Sequence, residues 1–223
     1  MAAWDWMKGT PETQAEGAGD GRSARKRQAI LAAATDVFLR DGYLGTSMDE
    51  IAALSGVSKQ TVYKHFSSKE ALFIEIVTSM TNETGDAVHN EMPDIAGGDL
   101  ARYLESYAYL QLSIVLTPRV MQLRRLVIGE VARFPELAQV LYERGPQRAL
   151  GILSSMFERL AERGQLEIGD PRIAAEHFNW LVMSGPLNRA MLLGDEAIPK
   201  PAELRRYAAE GVRVFLAAYG TAR

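Results

Sequence analysis

The chain contains no cysteine, which excludes disulfides, thiolate metal sites and cysteine nucleophiles together. Histidine is almost as scarce. His65, His89 and His177 are scattered, so a histidine-rich metal site is not expected. No apolar run approaches the roughly 18 residues that a membrane-spanning helix needs. The N-terminal MAAWDWMKGTPETQAEGAGD has no long apolar segment behind a basic start, so no signal peptide is expected and the expected location is the cytoplasm. Two further absences speak against an enzyme or a bound cofactor. There is no glycine-rich phosphate loop and no Glu-x-x-His motif; Glu176 directly precedes His177, which is wrong for joint metal binding from one helical face.

What is present is a globular composition: 223 residues, 47% hydrophobic and 24% charged, enough to bury a core in one or two domains. A net charge of -3 argues against a protein that coats nucleic acid indiscriminately, yet the charge is unevenly distributed. Residues 22–69 hold eight bases (Arg22, Arg25, Lys26, Arg27, Arg40, Lys59, Lys64, Lys69) and four acids (Asp36, Asp41, Asp49, Glu50), a balance of +4, which leaves -3 - 4 = -7 for the rest. A basic head on an acidic body is expected where one end alone meets an anionic partner.

Residues 1–21 lack apolar periodicity and read as a flexible tail, in which Trp4 and Trp6 are either a loose end or a docking element. From Ser23, Ile30, Leu31, Ala34, Val37 and Phe38 recur at helical spacing until glycine stops the helix at Asp41-Gly42. In TSMDEIAALSGVS, Ser47 and Glu50 form a capping box that opens a short helix to about Leu54. Gly56 supplies the turn and Ser58 caps a second short helix to about His65. Ser67 and Glu70 form another box at the start of a long fourth helix. Apolar-periodic segments then cover about 99–116, 119–132, 135–144, 146–163, 171–192 and 201–218, with prolines as boundaries. No strand alternation and no fixed repeat occurs, so the expected fold is all-α with nine or ten helices.

Two short helices joined by a glycine turn form a helix-turn-helix pattern, in which the first helix braces the second for a major groove. Ile51, Leu54, Val57 and Val62 are expected to hold the pair together. At roughly 100° per residue, Lys59, Gln60, Tyr63 and Lys64 share an arc of about 140° while Val62 points away. Cation, amide and phenol can bond base edges and phosphates. Ser47, Ser58 and Ser67 sit at helix starts, where free N–H groups suit phosphate. Lys69 opposes the dipole of its own helix, a conflict that a phosphate would resolve. Arg22, Arg25, Lys26 and Arg27 form an arm able to reach backbone or minor groove. The alternative is an ordinary solvated face on a small helical domain.

TSMDEIAALSGVSKQTVYKHFSSKEALF resembles the signature of the TetR family of bacterial transcriptional regulators, densely over residues 25–75. The resemblance implies a three-helix DNA-binding domain with helix-turn-helix (residues 22–70) and a C-terminal helical ligand-binding and dimerisation domain (residues 71–223). It implies a homodimeric repressor on a palindromic double-stranded DNA operator, released by a small-molecule effector. Carried over residue by residue, Lys59, Gln60 and Tyr63 fall where base contacts are usual. Ser47, Thr61, Lys64, His65 and Lys69 fall where phosphate contacts are usual. His65 has a rival role packed on Tyr63 or Phe66. The segment RLVIGEVARFPELAQVLYERGPQR resembles the subgroup with an AefR-like C-terminal domain, which names no ligand.

In the body, Tyr103, Tyr107, Leu110, Met121, Arg125, Phe134, Phe157, His177, Trp180 and Met183 are the residue types that line pockets, with plain core packing as the alternative. Arg125 and His177 are the two to follow: a buried cation would favour an anionic effector, with the alternative that Arg124, Arg125 and Arg119 simply face water. The helices about 146–163 and 171–192 are the family's usual dimer elements, with Leu150, Leu153, Phe157, Ala174, Phe178, Leu181, Ser184 and Gly185 as contact candidates. A helical dimeric scaffold or small-molecule-binding protein without DNA recognition is the competing reading.

Overall fold

The computed structural model describes residues 11–90 and 99–221, with side chains from Gly21 to Asp86 and from Asp99 onward. Residues 1–10, and with them Trp4 and Trp6, lie outside the described residues. Among the described residues ten α-helices follow one another: α1 (Pro11–Gly45), α2 (Met48–Ser55), α3 (Lys59–His65), α4 (Lys69–Asn90), α5 (Leu100–Val115), α6 (Pro118–Gly129), α7 (Pro135–Tyr142), α8 (Arg148–Glu162), α9 (Pro171–Leu193) and α10 (Pro201–Tyr219). No β-sheet occurs among the described residues; one isolated bridge joins Leu166 and Gly220. No helix among them is long and apolar enough to cross a membrane.

The chain divides into two compact units, Met1–Ile76 and Val77–Arg223, so the division falls inside α4 rather than at residue 70. α1 also begins earlier than Ser23, at Pro11, a residue whose fixed φ suits a first helical turn. Regular helix breaks at Gly42, where φ is 72° and ψ 178°.

The first unit is built round Ile30, Val37, Phe38, Ile51, Val62, Leu72 and Phe73, none of which has accessible surface. Phe38 and Phe73 stack with centroids 5.0 Å apart, and Tyr43 joins Phe73 at 5.1 Å. Ile51 and Val62 therefore hold α2 to α3 as expected, but Leu54 does not. It is 58% exposed, because the inward face of α2 is formed by Met48, Ile51 and Ala52, and Leu54 projects some 120° away from Met48.

In the second unit α10 packs on α5 and α9, and α8 packs on α9. Phe157, Phe178 and Phe215 form its aromatic centre, with Phe157 and Phe215 stacked at 4.9 Å and Phe178 edge-on to both. Gly211 lets α10 approach α9: a Cβ there would stand 2.9 Å from Val182 Cγ2. Pro146, expected to separate two helices, instead lies in a π-helical turn, Glu143–Gln147, that joins α7 to α8 without a break. A proline cannot donate the ordinary helical bond, and the wider turn accommodates it.

Candidate nucleic-acid interface and effector cavity

The head is organised by serine caps. Ser47 Oγ accepts from Glu50 N at 3.1 Å, and Ser58 Oγ accepts from Thr61 N at 3.2 Å while lying 2.9 Å from Thr61 Oγ1. The Glu50 carboxylate turns to Arg40, 2.6 Å away. The cap of α4 is Ser68, not Ser67: its Oγ accepts from Ala71 N at 3.0 Å. Helix α4 opens one residue later than the Ser67–Glu70 spacing suggests. Between α2 and α3, Gly56 takes φ 68° and ψ 23°, the left-handed conformation that lets the chain turn within three residues.

These caps and this turn present Lys59, Gln60, Tyr63 and Lys64 to solvent, all four exposed, while Val62 is sealed beneath them. Thr61 and His65 are half-buried at the edges, and the His65 ring lies 6.4 Å from that of Phe66, which is core. Lys59 is not idle: its Nζ lies 2.7 Å from Asp49 Oδ1 at the start of α2. That hydrogen bond holds the ammonium above its ordinary range, so it stays a cation. Both partners are more than half exposed, so water screens the pair and a stronger anion can displace the carboxylate.

Besides Lys59 and Arg40, Lys69 and Arg27 are engaged within the head. Lys69 donates from Nζ to Thr46 O at 2.8 Å and lies 4.6 Å from the centre of the Tyr43 ring. Its conflict with the α4 dipole is thus met by a carbonyl and an aromatic face. Arg27 bonds Glu75 at 2.6 Å and covers Phe66, whereas Arg25 and Lys26 are exposed.

The second unit contains a cavity of about 280 Å³ between α4, α5, α6, the π turn, α8 and α9. Of the ten candidates named from the sequence, Trp180 and Met183 line it. Tyr103, Tyr107, Leu110, Met121, Arg125, Phe134, Phe157 and His177 do not. Met121 and Phe157 have no accessible surface and are spent on the core. The Tyr107 hydroxyl is buried without a partner among the described residues, and burial pushes it well above the usual phenol range, so it stays neutral. His177 is exposed, with Nδ1 2.6 Å from the Tyr219 hydroxyl. Tyr103 packs at the edge of the core.

Arg125 bonds Asp195 and donates to Ala190 O at 3.0 Å, serving a carbonyl in the last turn of α9 that has no helical partner. Its neighbour Arg124 faces the cavity instead. Among the described residues nothing bonds the sealed Arg124 Nε, and burial pushes the guanidinium below its usual range with no carboxylate there to offset it. It remains a cation. Gln111, which donates to Asn179 Oδ1 at 3.1 Å, shares the wall and keeps Oε1 unbonded. Sequence reasoning weighed Arg124 only with its neighbours; the distinguishing signal lies in α9 and Asp195, distant in the chain.

A capped helix-turn-helix with a polar, solvent-facing second helix, followed by a separate helical unit enclosing a cavity, defines a DNA-binding transcriptional regulator. The profile of the tetR family of bacterial regulatory proteins matches residues 30–76, and that of the AefR-like transcriptional repressor C-terminal domain matches residues 98–221. The chain belongs to the TetR family. A structure from Mesorhizobium loti described as a TetR-family transcriptional regulator is 39% identical, with a TM-score of 0.83 over 90% of this chain and 99% of that one. The flavonoid-responsive regulator FrrA is 32% identical, with a TM-score of 0.72 over 90% of this chain and all of its own. Among curated proteins, the uncharacterized HTH-type transcriptional regulator YhgD of Bacillus subtilis is 27% identical over 182 residues, 77% of this chain and 93% of YhgD.

Proposed function

We propose that the protein is a homodimeric, effector-responsive repressor acting in the cytoplasm. The observation that carries this reading is the exposed face of α3: Lys59, Gln60, Tyr63 and Lys64 outward over a sealed Val62. Lys59, Gln60 and Tyr63 read bases in the major groove, with Lys59 suited to guanine and Gln60 to adenine. Ser47, Thr61, Lys64 and His65 take phosphates, and Arg25 and Lys26 reach the flanking backbone. Arg27 and Lys69 contribute first to the frame that sets α3, and reach a phosphate only by giving up Glu75 and Thr46.

A homodimer places two such heads on half-sites centred about 34–36 Å apart. The outward face of α9 supports pairing: Ile173, Trp180 and Leu181 are 48%, 53% and 40% exposed, and Ile152 of α8 is exposed too. Leu150, Leu153, Phe157, Ala174 and Phe178, candidates from the sequence, are buried in their own chain's core; Leu181, Ser184 and Gly185 stay at the surface. The cavity is the effector site, and similarity to a regulator whose name states a flavonoid response supports a small-molecule trigger.

Fluorescence anisotropy on duplexes from the DNA flanking the coding sequence tests this. Lys59→Ala is expected to weaken the preferred site roughly tenfold or more and to relax base preference, and Lys64→Ala to weaken all sequences alike. Equal losses on every sequence for both variants would contradict the division of roles.

A further inference from the structure

The cavity of the second unit has one charged demand that the protein does not meet. Arg124 lines it from α6. No acceptor among the described residues bonds its guanidinium, and its Nε is sealed. The residue as a whole is only partly buried, and it lines the cavity. Glu176 is the acid in the lining, and it is paired with Arg172 at 3.2 Å and half exposed. The remaining wall is mostly apolar: Val115, Val120, Leu123, Leu150, Met183 and the Trp180 ring. Thr81 and Thr84, also in the lining, have already donated their hydroxyls to Val77 O and Met80 O within α4. A cation partly withdrawn from water and without a bonded acceptor is costly, and an anion with hydrogen-bond acceptors relieves that cost. The volume, about 280 Å³, lies at the small end of ligand sites.

We propose that the effector is a small amphipathic organic anion, an aryl carboxylate or a phenolate of one or two rings, whose charged oxygen pairs with the Arg124 guanidinium while its rings fill the apolar wall. This rests on reading the cavity as the effector site. A planar oxyanion suits the guanidinium fork in a way that a neutral hydroxyl does not. Gln111 Oε1, buried and unbonded in the same lining, adds an acceptor that favours ligands bearing a second hydroxyl. Cationic ligands are disfavoured, because the acid in the wall is already neutralised by Arg172.

Isothermal titration of the full-length protein with matched probes is the test. One arm uses 4-hydroxycinnamate against 4-hydroxycinnamamide, which keeps shape and removes charge. The other uses 4-nitrophenolate, above its own ionisation, against 4-nitroanisole. The expected result is that at least one anion binds about tenfold or more tightly than its neutral partner. The preference disappears in Arg124→Met, and Arg124→Lys retains part of it. The two arms tell carboxylate from phenolate. Equal binding of anion and neutral partner, a preference that survives Arg124→Met, or no binding of either anion at millimolar concentration overturns the proposal. Operator release is followed separately on labelled DNA. Release by a neutral compound indifferent to Arg124 sinks the anion inference and leaves the regulator standing, whereas binding through Arg124 without release does the reverse.

Discussion

Lys59 is held by Asp49 in the free protein, so a side chain expected to read a base must first leave a carboxylate. A phosphate would replace the acid charge for charge, whereas guanine O6 and N7 are neutral acceptors, so reading a base gives up a screened ion pair. Asp49→Asn removes both the restraint and a negative charge beside the groove-facing helix. Affinity for all duplexes is expected to rise several-fold in anisotropy titrations at fixed salt; a fall would show that Asp49 positions Lys59 for binding. Lys69 stands in the opposite situation. Its ammonium joins α4 to the Thr46 carbonyl and the Tyr43 ring, so Lys69→Met is expected to destabilise the head by about 1 kcal/mol in denaturant unfolding. The sequence showed that both lysines were charged and near helix starts. It did not show which carbonyl or carboxylate each would find, because Thr46 lies 23 residues from Lys69. The same limit separates Arg124 from Arg125: adjacent residues point about 100° apart on a helix, and their fates are set by the end of α9.

Helices were legible because their punctuation is local. Ser47, Gly56 and Ser58 act where their spacing places them, and the prolines at 118, 135, 171 and 201 open α6, α7, α9 and α10. Errors arose where two residues competed for one role or where tertiary packing overrode a breaker. Ser67 and Ser68 are both chemically able to cap α4, and only the position of the first turn selects Ser68. Pro146 sits in a π turn that lines the cavity, a widening that no periodicity reveals. Two glycines can be tested. Gly56→Val forces a β-branched residue into a left-handed conformation and is expected to cost at least about 1–2 kcal/mol of head stability, with loss of DNA binding in parallel. Gly211→Val drives new atoms into Val182 and the Leu181 backbone, so the second unit is expected to lose about 2–3 kcal/mol in thermal or denaturant unfolding. Unchanged stability in Gly211→Val would show that α9 shifts freely, and in Gly56→Val that the turn relaxes out of its left-handed conformation.

At the scale of the whole molecule, uneven charge was the earliest guide to function. The positive balance of residues 22–69 within a chain of net charge -3 matches a head that meets phosphate and a body that does not. The candidate DNA face was therefore largely readable, down to the outward arc of α3. The cavity was not, since its wall gathers α4 through α9 from distant parts of the sequence and large apolar residues look alike whether they fill a core or line a space. The same ambiguity holds for the dimer candidates: Leu150, Leu153, Phe157, Ala174 and Phe178 are buried inside the subunit, while Leu181, Ser184 and Gly185 stay at the surface. Leu181→Glu is expected to yield folded monomers in sedimentation analysis and to weaken operator binding by more than Lys64→Ala does. A dimer that persists at low micromolar concentration would place the pairing surface elsewhere.

The central claim is that the exposed arc of α3 reads duplex DNA, and in vitro selection from a random duplex library tests it most directly. The wild-type chain is expected to enrich a two-fold symmetric site with half-sites one helical turn apart, bound with an affinity that falls steeply as salt rises. The Lys59→Ala, Gln60→Ala double variant is expected to remain folded and lose that enrichment. A wild-type protein that enriches no sequence, or a double variant that selects the same site as strongly, would contradict the account.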